Sequence, residues 1–539
     1  MPPFSGPRFA LRSLLALRNR RGSHVWYVMF SRPYSYLKGY MPVKFTPHVR
    51  HPYPRETLVW VEGLVLVLCL FNVSYHIDTS KIGEWDEARY GVSAFEMLVT
   101  KNVWINTYGY ERDFANLKPP LGLWAIAASY YLVGVTPLGL RLPSMIAGVL
   151  CVWVTIHLGR RYGDPPTGVL AGAILATTFP FILRHGARTG NFDVLFTLLI
   201  TLALWLTIAW PRQQATAWLL GLVFALGFLV KSWAIGPFVL AALLYFLSTQ
   251  PRPALFVNIP LVSIAFISPI VCWASVRLML DGPEFVQRMV TYDLLKRASE
   301  TIESASSHHF YYFSFLGDRF APWAEILGMG SIVLLITRTR KDRPSPILPA
   351  EKKFITLLAW WSLIPLIMLT LASTRYYWYI IPILPALALA TAWVMIQLVR
   401  ITHQRMLNML LLGVMVLGLA LSEYRILTAI QAEQQREGQD FLRTIPLPPA
   451  ATICAFRPWT QHERWILAAS RGAMLCQLGS VDAPLPENAH GVLLLIDRGA
   501  PEEALITRDQ RFRVVESPYY LVATKQKDIR GDAGGRAGS

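Results

Sequence analysis

The stretch TLVWVEGLVLVLCLFNVSYHI, residues 57–77, holds a single acid, Glu62, and no lysine or arginine. A helix of about 20 apolar residues spans roughly 30 Å, the thickness of the hydrocarbon layer of a membrane. Comparable apolar runs follow at 121–134, 139–159, 167–183, 191–210, 215–230, 234–248, 254–279, 322–337, 354–373, 376–398 and 406–423. The sequence therefore predicts a mainly α-helical, polytopic transmembrane bundle.

The overall composition also favours a membrane protein. Of the 539 residues, 53% are hydrophobic and only 16% are charged, whereas soluble domains carry about 25% charged residues. The net charge of +17 raises the question of nucleic acid, but the basic residues lie between apolar runs, as they do in cytoplasmic loops. No nucleic-acid-binding motif is present. We predict the lipid bilayer as a partner and no nucleic acid.

Basic residues between the runs predict the orientation of the chain, because cytoplasmic loops are enriched in lysine and arginine. Residues 1–55 contain ten of them and no acid, and Arg160–Arg161, the loop 338–353 and Arg400 are also basic. All these segments lie inside only if the short run 121–134 does not cross the membrane. About eleven spans and juxtamembrane helices are then predicted, with the N-terminus inside and the C-terminal tail outside.

Four regions are predicted along the chain. A basic cytoplasmic leader covers 1–55, which lacks the features of a cleaved signal peptide, and the transmembrane domain covers 56–423. A small extracytoplasmic α/β domain is predicted at 424–527, with strands at 493–496, 512–515 and 520–523. The glycine-rich tail 528–539 is predicted to be disordered.

Two of the five cysteines, Cys454 and Cys476, lie in the predicted extracytoplasmic domain. A disulfide between them is compatible with an oxidising compartment. Their spacing alone does not decide whether the bond forms.

The first predicted outer loop contains the charged and aromatic sequence WDEARY at 85–90. Acids at the start of a helix are explained by the helix dipole alone. That explanation fits isolated acids better than a group in which Asp86 and Glu87 stand beside Arg89 and Tyr90 at the edge of the membrane. Charges close to hydrocarbon tend to be functional, so we predict a site here.

Further polar residues fall in the other predicted outer loops, namely Lys118 before Pro119-Pro120, Arg188, Asp193, Lys231, His309 and Arg375-Tyr376. Each has an ordinary structural explanation. A lysine at the end of an apolar segment extends to the interface, an acid at a helix N-terminus gains roughly 0.3–1 kcal/mol, and basic and aromatic residues anchor spans. Their prediction as site residues depends on their common position on one face of the membrane.

The sequence lacks motifs for metal or nucleotide chemistry. It contains no HExxH, no CxxC and no ladder of histidines and acids. It also contains no P-loop, GxSxG or dinucleotide fingerprint. The adjacent pair His308-His309 is only weak support for a metal site. We therefore predict no metal ligands and no cofactor.

The ordered set of these elements resembles the C-type glycosyltransferases of the protein O-mannosyltransferase and aminoarabinose (lipid A) transferase family. The resemblance covers about 57–400, and the set is more specific than any single motif. Its members are Asp86 to Leu98, Lys118-Pro119-Pro120, Arg141-Leu142-Pro143-Ser144, Ala187-Arg188-Thr189 with Asp193, Lys231 with Gly236-Pro237, and Arg375-Tyr376. The basic leader 1–55 is a departure from the family's usual pattern.

The resemblance implies an inverting glycosyltransferase that uses a polyprenyl-phosphate-linked sugar. The implied acceptor is a lipid, a glycan or a protein on the extracytoplasmic face of the inner (plasma) membrane. The predicted catalytic residues are Asp86, its neighbour Glu87, and Asp193. Predicted donor-phosphate ligands are Arg89, Lys118, Lys231 and Arg375, and further substrate contacts are predicted for Tyr90, Arg188, Tyr376 and His309.

Two other classes of function are considered. A transporter or flippase for a lipid or an anionic solute also has many spans and basic residues. It predicts ionisable residues near the middle of the membrane, and often repeated halves, whereas charges within the apolar runs are few here. A purely structural membrane scaffold leaves the acids and bases of the outer loops unexplained.

Overall fold

The structure is a computed structural model, and it describes residues 55–209, 214–302, 305–306, 308–339, 349–402, 404–433, 437–448, 451–480, 483, 492–508 and 512–525. The predicted leader, apart from its last residue, and the predicted disordered tail 528–539 lie outside the described residues. So does most of the basic loop 338–353.

The apolar runs form helices that are interrupted near their ends by short turns. The helices are α1 (Arg55–Ser74), α2 (Asp86–Thr100), α3 (Leu121–Val133), α4 (Pro137–Leu158), α5 (Pro165–Ala176), α6 (Phe179–Ile182), α7 (Asp193–Ala209), α8 (Gln214–Lys231), α9 (Gly236–Thr249), α10 (Arg252–Asp281), α11 (Glu284–Val290), α12 (Arg297–Ser299), α13 (Tyr311–Arg319), α14 (Trp323–Thr339), α15 (Pro349–Leu371), α16 (Leu384–Ile401) and α17 (Arg405–Ala432). A hairpin of strands β1 (Thr107–Tyr108) and β2 (Glu111–Arg112) lies between α2 and α3. Tighter or wider helical turns cover Gly159–Gly163, Ser232–Ile235, Thr291–Lys296 and Tyr377–Ile383.

The prediction of a mainly helical, multi-pass membrane protein is confirmed. Within the described residues, seven helical segments are long and apolar enough to cross a membrane. The number is eight if α13 and the following helix, which meet at a bend of 102°, form one span. Three shorter apolar helices, α3, α5 and α7, add to these.

The segment from Gln214 to Thr249 counts as one long apolar element, but its two helices pack on different neighbours. Phe224 contacts Phe266 and Phe228 contacts Trp273, so α8 and α10 run parallel. Helix α9 instead packs on α15. The two helices, which the turn Ser232–Ile235 joins, therefore bury separate apolar surfaces.

Helix α3 lies at the same end of the bundle as Asp86 along its whole length. An added side chain at Gly122, in its first turn, would collide with Phe192, the residue before Asp193. Just beyond its last turn, the carbonyl of Val135 accepts a hydrogen bond from Ser470 of the C-terminal region. Both ends of α3 therefore contact residues at this end of the bundle.

Ion pairs are also found at the end of the bundle that lies opposite to Asp86. Arg160 pairs with Glu62, and Arg400 pairs with Asp164 at 2.6 Å. Asp164 also caps α5 by accepting from the amide of Thr167 at 2.8 Å. These basic positions are the ones that the sequence analysis places on the cytoplasmic side.

The C-terminal region is a small α/β unit. Its elements are α18 (Glu437–Thr444), β3 (Thr452–Ala455), α19 (Gln461–Arg464), β4 (Met474–Gln477), β5 (Val492–Asp497), α20 (Pro501–Arg508), β6 (Phe512–Glu516) and β7 (Tyr520–Lys525), with a wide helical turn at Trp465–Ser470. The strand order is β4-β3-β5-β7-β6. Strands β4, β3 and β5 are parallel, and β7 is antiparallel to both β5 and β6.

The three strands predicted for this unit are present as β5, β6 and β7. Strands β3 and β4 are additional, and Cys454 and Cys476 stand opposite each other on them and form a disulfide. The predicted boundary at residue 424 falls inside α17, which continues to Ala432 because the sequence from 424 to 432 contains no helix-breaking residue.

Candidate active site

Asp86 lies at the opening of the polar end of the bundle. It is the first residue of α2, and its side chain is 42% exposed. One turn later, the Tyr90 ring stacks on Phe192 with centroids 4.0 Å apart. Burial and the neighbouring Asp86 carboxylate raise the pKa of Tyr90 well above its usual value. The phenol beside Asp86 therefore remains protonated at neutral pH.

Two of the three acids predicted as catalytic, Asp86 and Asp193, lie on either side of a histidine. Asp193 is the first residue of α7 and is buried. Nδ1 of His185 lies 3.4 Å from Oδ2 of Asp193 and 4.0 Å from Oδ2 of Asp86. The other carboxylate oxygen of Asp193 pairs with the Lys231 ammonium. The arrangement is an acid–histidine–acid row with one of its acids neutralised by a lysine.

The turn that carries His185 has an unusual backbone. Arg184 and His185 are consecutive residues with positive φ angles of 42° and 62°, a conformation that costs non-glycine residues of order 1–3 kcal/mol each. The His185 ring is stacked on Trp378 at 4.0 Å between centroids. Such strain persists where surrounding contacts impose it, and it is concentrated at functional sites.

A group of cations surrounds a second buried acid beside this row. The Lys118 ammonium lies 3.1 and 3.2 Å from the two carboxylate oxygens of Asp293. Nε of Arg297 lies 3.1 Å from the same carboxylate, and the Ser232 hydroxyl donates to it at 2.8 Å. Burial alone would raise the pKa of Asp293, but Lys118 and Arg297 outweigh burial and lower it.

The two groups adjoin through Tyr379. The Lys231 ammonium lies 5.5 Å from the centre of the Tyr379 ring, and Arg297 donates to the Tyr379 hydroxyl at 3.3 Å. Lys118, Lys231 and Arg297 thus form a cationic region next to the acids. Such a region can bind a phosphate and stabilise negative charge as it develops.

Several members of this site are not among the predicted residues. They are His185, Ser232, Asp293, Arg297, Trp378 and Tyr379. Asp293 and Arg297 stand four residues apart in a predicted outer loop, which is the spacing of an ion pair on a helix. That spacing is the one feature of the sequence that indicates them.

Glu87 has a different position from the one predicted. Its carboxylate accepts from Arg141 at 2.7 and 3.2 Å and from the amides of Gly190 and Gly83 at 2.9 and 2.7 Å. The side chain is buried. Neither oxygen is available to a substrate, so the prediction that Glu87 is catalytic is corrected to a structural role that joins α2, α4 and the turn before α7.

Arg89 and Arg188 are also held by protein groups. Arg89 makes two hydrogen bonds to Asp113, at 2.8 and 2.6 Å, and lies over the Tyr108 ring. Arg188 is buried and donates to the carbonyl of Asn72 and the hydroxyl of Ser80. The structure does not bring either guanidinium into the cationic region.

The predicted residues of the last two outer loops lie at the edge of the site. The Arg375 guanidinium is buried and donates to the Thr370 carbonyl at 3.1 and 2.8 Å. Tyr376 donates to the Ile302 carbonyl and stacks on Trp378, the ring that supports His185. His309 is exposed. Tyr376 therefore borders the site, whereas the other two residues do not enter it.

A cavity of about 520 Å³ opens beside His185. Tyr377 lines it and meets the His185 ring edge-on at 5.9 Å. Arg184 and Arg319 also line it, together with His308, Asp318 and the rings of Phe179, Tyr311 and Phe315. An adjoining cavity of about 460 Å³ shares Arg184 and Arg319 and adds Arg425. The region has more basic than acidic side chains and a partly aromatic wall.

Within the part of the chain that the structure describes, no group of three or more histidine, cysteine, aspartate or glutamate side chains is placed to hold a metal ion. The described side chains of the site provide carboxylates, a histidine and fixed cations.

Fold and site together define a multi-pass membrane protein with an acid–base group and a cationic region at one end of its helices. Residues 117–273 match the protein family described as dolichyl-phosphate-mannose-protein mannosyltransferase. An undecaprenyl phosphate-α-4-amino-4-deoxy-L-arabinose arabinosyl transferase of Pseudomonas fluorescens is 28% identical over 350 residues, which are 62% of this chain and 58% of that protein. A Pseudomonas aeruginosa protein of the same name is 27% identical over 373 residues, which are 67% of this chain and 65% of that protein.

The fold is also that of a solved structure. The crystal structure of ArnT from Cupriavidus metallidurans bound to undecaprenyl phosphate superimposes with a TM-score of 0.64 at 15% identity, and the match covers 88% of this chain and 98% of that one. The chain spans about three fifths of the length of the curated relatives that it matches. These findings confirm the resemblance stated from the sequence, that to the protein O-mannosyltransferases and aminoarabinose transferases.

Proposed function

We propose that the protein is a membrane glycosyltransferase that moves a sugar from a polyprenyl-phosphate donor to an extracytoplasmic acceptor with inversion at the anomeric carbon. The observation that carries this proposal is the position of the Asp86–His185–Asp193 row directly beside the cations Lys118, Lys231 and Arg297. Transfer from a phosphate-linked sugar to a hydroxyl acceptor needs both features, a base for the acceptor and positive charge for the departing phosphate.

Asp86 is proposed as the group that receives the acceptor's proton. Among the three carboxylates of the site it is the exposed one, since Asp193 and Asp293 are buried and paired with cations. The acceptor oxygen attacks the anomeric carbon, its proton passes to Asp86, and the bond between the anomeric carbon and the phosphate oxygen breaks. A phosphate acceptor arrives already ionised, and Asp86 with Tyr90 would then only orient it.

The cations are proposed to hold the donor phosphate. Negative charge grows on the phosphate oxygen as the glycosidic bond breaks, so Lys118 and Arg297 stabilise the transition state more than the ground state. Lys231 is proposed to bridge the phosphate and Asp193. The second carboxylate is then placed to offset positive charge on the sugar ring, as a second carboxylate does in glycoside hydrolysis. No cofactor is proposed.

The polyprenyl tail is proposed to lie in the bilayer, with eleven spans around it. The number of spans is eleven when α8 and α9 cross separately, α14 crosses after the bend, and α5 and α7 cross despite their short length, while α3 remains juxtamembrane.

Two facts support an extracytoplasmic, periplasmic site in the plasma membrane. The basic pairs of Arg160 and Arg400 lie at the opposite end, and the disulfide Cys454–Cys476 belongs to an oxidising compartment.

We propose the same four regions as in the sequence analysis, except that the extracytoplasmic unit starts after Ala432, where α17 ends. The acceptor is proposed to enter through the cavity that Arg184 and Tyr377 line, because Tyr377 meets the His185 ring edge-on at 5.9 Å. The names of the relatives favour an aminopentose donor. The proposed acceptor is a lipid, a glycan or a protein.

The test is sugar transfer by purified protein in lipid nanodiscs. A panel of polyprenyl-phosphate donors carrying aminopentose, pentose or hexose is offered with lipid A, glycan and peptide acceptors, and products are identified by mass spectrometry. Transfer from at least one donor, with release of the polyprenyl phosphate, is expected. Transport of an intact donor across liposomes without any transfer would instead support the flippase hypothesis.

A further inference from the structure

The position of Asp86 is set by the segment that precedes it. Residues 75–85 connect α1 to α2 through turns, and two non-glycine residues in it, His76 and Trp85, have positive φ angles of 56° and 61°. Trp85 immediately precedes Asp86, its side chain is 67% exposed, and it provides no side-chain cap to the helix. Contacts with other elements hold this segment in addition to its own turns. Arg141 of α4 donates to the carbonyls of Ile77 at 2.8 Å and Lys81 at 2.6 Å.

One such contact comes from α18 of the C-terminal unit. The buried amide side chain of Gln439 accepts from the amide of Ile82 at 3.0 Å and donates to the carbonyl of Ile82 at 3.0 Å. The two bonds reproduce the pairing of neighbouring strands. They fix the backbone four residues before Asp86, and Arg443 on the same helix donates to the carbonyl of Asp78 at 3.0 Å.

A second contact reaches still closer to Asp86. Glu84 pairs with His462 of α19, and its carboxylate also accepts from the backbone amide of Gln461 at 3.2 Å. Glu84 is two residues before Asp86. Glu84 therefore connects the site segment to the C-terminal unit.

A third contact holds the helix that begins with Asp86. A Cβ atom placed on Gly91 would lie 2.5 Å from Cδ1 of Trp465, so Trp465 packs directly against the backbone of α2. Trp465 is buried, and its indole donates to the Tyr130 hydroxyl at 2.8 Å. Gly91 is about 140° around the helix from Asp86, so Trp465 supports α2 from a side away from the site.

We infer that the C-terminal α/β unit acts in catalysis by positioning Asp86, with Gln439 and Trp465 as positioning residues. The inference rests on the proposed function, and it assigns the unit a role other than acceptor selection. A shift of about 1 Å in a reacting group lowers turnover by as much as 10²-fold. Loss of one of these contacts therefore lowers kcat while the donor site, formed by Lys118 and Arg297 on other elements, keeps its affinity.

The first experiment compares Gln439→Leu with a matched control, Arg498→Ala. Leucine is close to glutamine in volume and removes both bonds to Ile82, whereas Arg498 of the same unit pairs with Glu503 and Glu516. We expect kcat of Gln439→Leu to fall by about 10- to 100-fold at an unchanged KM for the donor, and kcat of the control to stay within about twofold. An unchanged kcat, or a changed choice of acceptor at unchanged kcat, would overturn the inference.

The second experiment uses the contact between Gly91 and Trp465. Gly91→Ala is expected to reduce kcat, because the new methyl group displaces α2, and Gly91→Ala/Trp465→Leu is expected to recover part of it by removing the indole. Equal loss in the single and double variants would contradict a positioning contact.

Hydrogen–deuterium exchange separates this inference from the proposed function. Amides of residues 77–90 are expected to exchange faster in Gln439→Leu than in Arg498→Ala, with equal exchange in α7. This readout needs no transfer activity. If the wild-type protein transfers no sugar, the proposed function fails, and equal exchange in the two variants would separately remove the positioning role.

Discussion

Replacement of Lys118 by methionine separates a role in phosphate binding from a role in stability. The ammonium is 3.1 Å from Asp293 and its side chain is 20% exposed, so its loss leaves a buried carboxylate with Arg297 and Ser232 as partners. An under-satisfied buried group costs about 1–3 kcal/mol. Loss of a donor to the developing phosphate charge lowers kcat by about 10²–10³-fold. Lys118→Met is therefore expected to be both less stable and nearly inactive.

The double variant Lys118→Met/Asp293→Asn separates the two effects. It removes both charges of the pair, so stability, measured by thermal unfolding in nanodiscs, is expected to return towards the wild-type value. Transfer, measured by release of polyprenyl phosphate, is expected to stay low because the cation is still absent. Arg400→Met, which breaks the pair with Asp164 at the opposite end, is the matched control and should transfer normally. Recovery of transfer in the double variant would refute the phosphate role of Lys118.

Three further predictions concern acid, acceptor entry and the disulfide. Because the pKa of Asp293 is lowered in the folded protein, its ionised form contributes stability that is complete above its usual pKa of about 4 and is lost as the pH falls through the folded value. The melting temperature of Asp293→Asn should accordingly fall less steeply below pH 5 than that of the wild type, and equal slopes would contradict this. Arg184→Ala should raise the KM for an anionic acceptor several-fold at unchanged donor KM, and an effect on the donor alone would remove the cavity from the proposal. Peptide mapping without reduction should find Cys454 joined to Cys476. Cys454→Ser should destabilise the C-terminal unit by about 3 kcal/mol, as expected for a loop closed over 22 residues. Free thiols at both positions in the native membrane protein would contradict the extracytoplasmic placement.

The membrane fold can be predicted from the sequence, because the length and the apolar character of each span depend only on a short stretch of residues. The sequence also indicates that Asp86, Asp193, Lys118 and Lys231 share one end of the bundle, since the basic loops fix the orientation of each span. Local sequence does not show which of these side chains are already paired. Nothing in the local sequence distinguishes Glu87 and Arg89 from the neighbouring Asp86. In the structure, however, Glu87 is paired with Arg141, and Arg89 is paired with Asp113.

Long-range contacts account for the residues that the sequence analysis does not predict. His185 enters the site through two consecutive positive φ angles, and no sequence pattern of non-glycine residues indicates that geometry. Asp293 meets Lys118 across 175 residues, and Gln439 meets Ile82 across 357. Strands β3 and β4 are four residues each, too short for their alternation to be recognised.

The central claim, that Asp86 serves as the acceptor base in transfer from a polyprenyl-phosphate sugar, is tested most directly by a single-turnover comparison of wild type and Asp86→Asn. Both proteins are loaded with the donor, donor binding is measured first, and an acceptor that reacts through a hydroxyl group is then added. The proposal predicts equal donor binding and a transfer rate reduced by about 10²–10⁴-fold in the variant. Transfer at the wild-type rate by a folded, donor-loaded Asp86→Asn protein would contradict it.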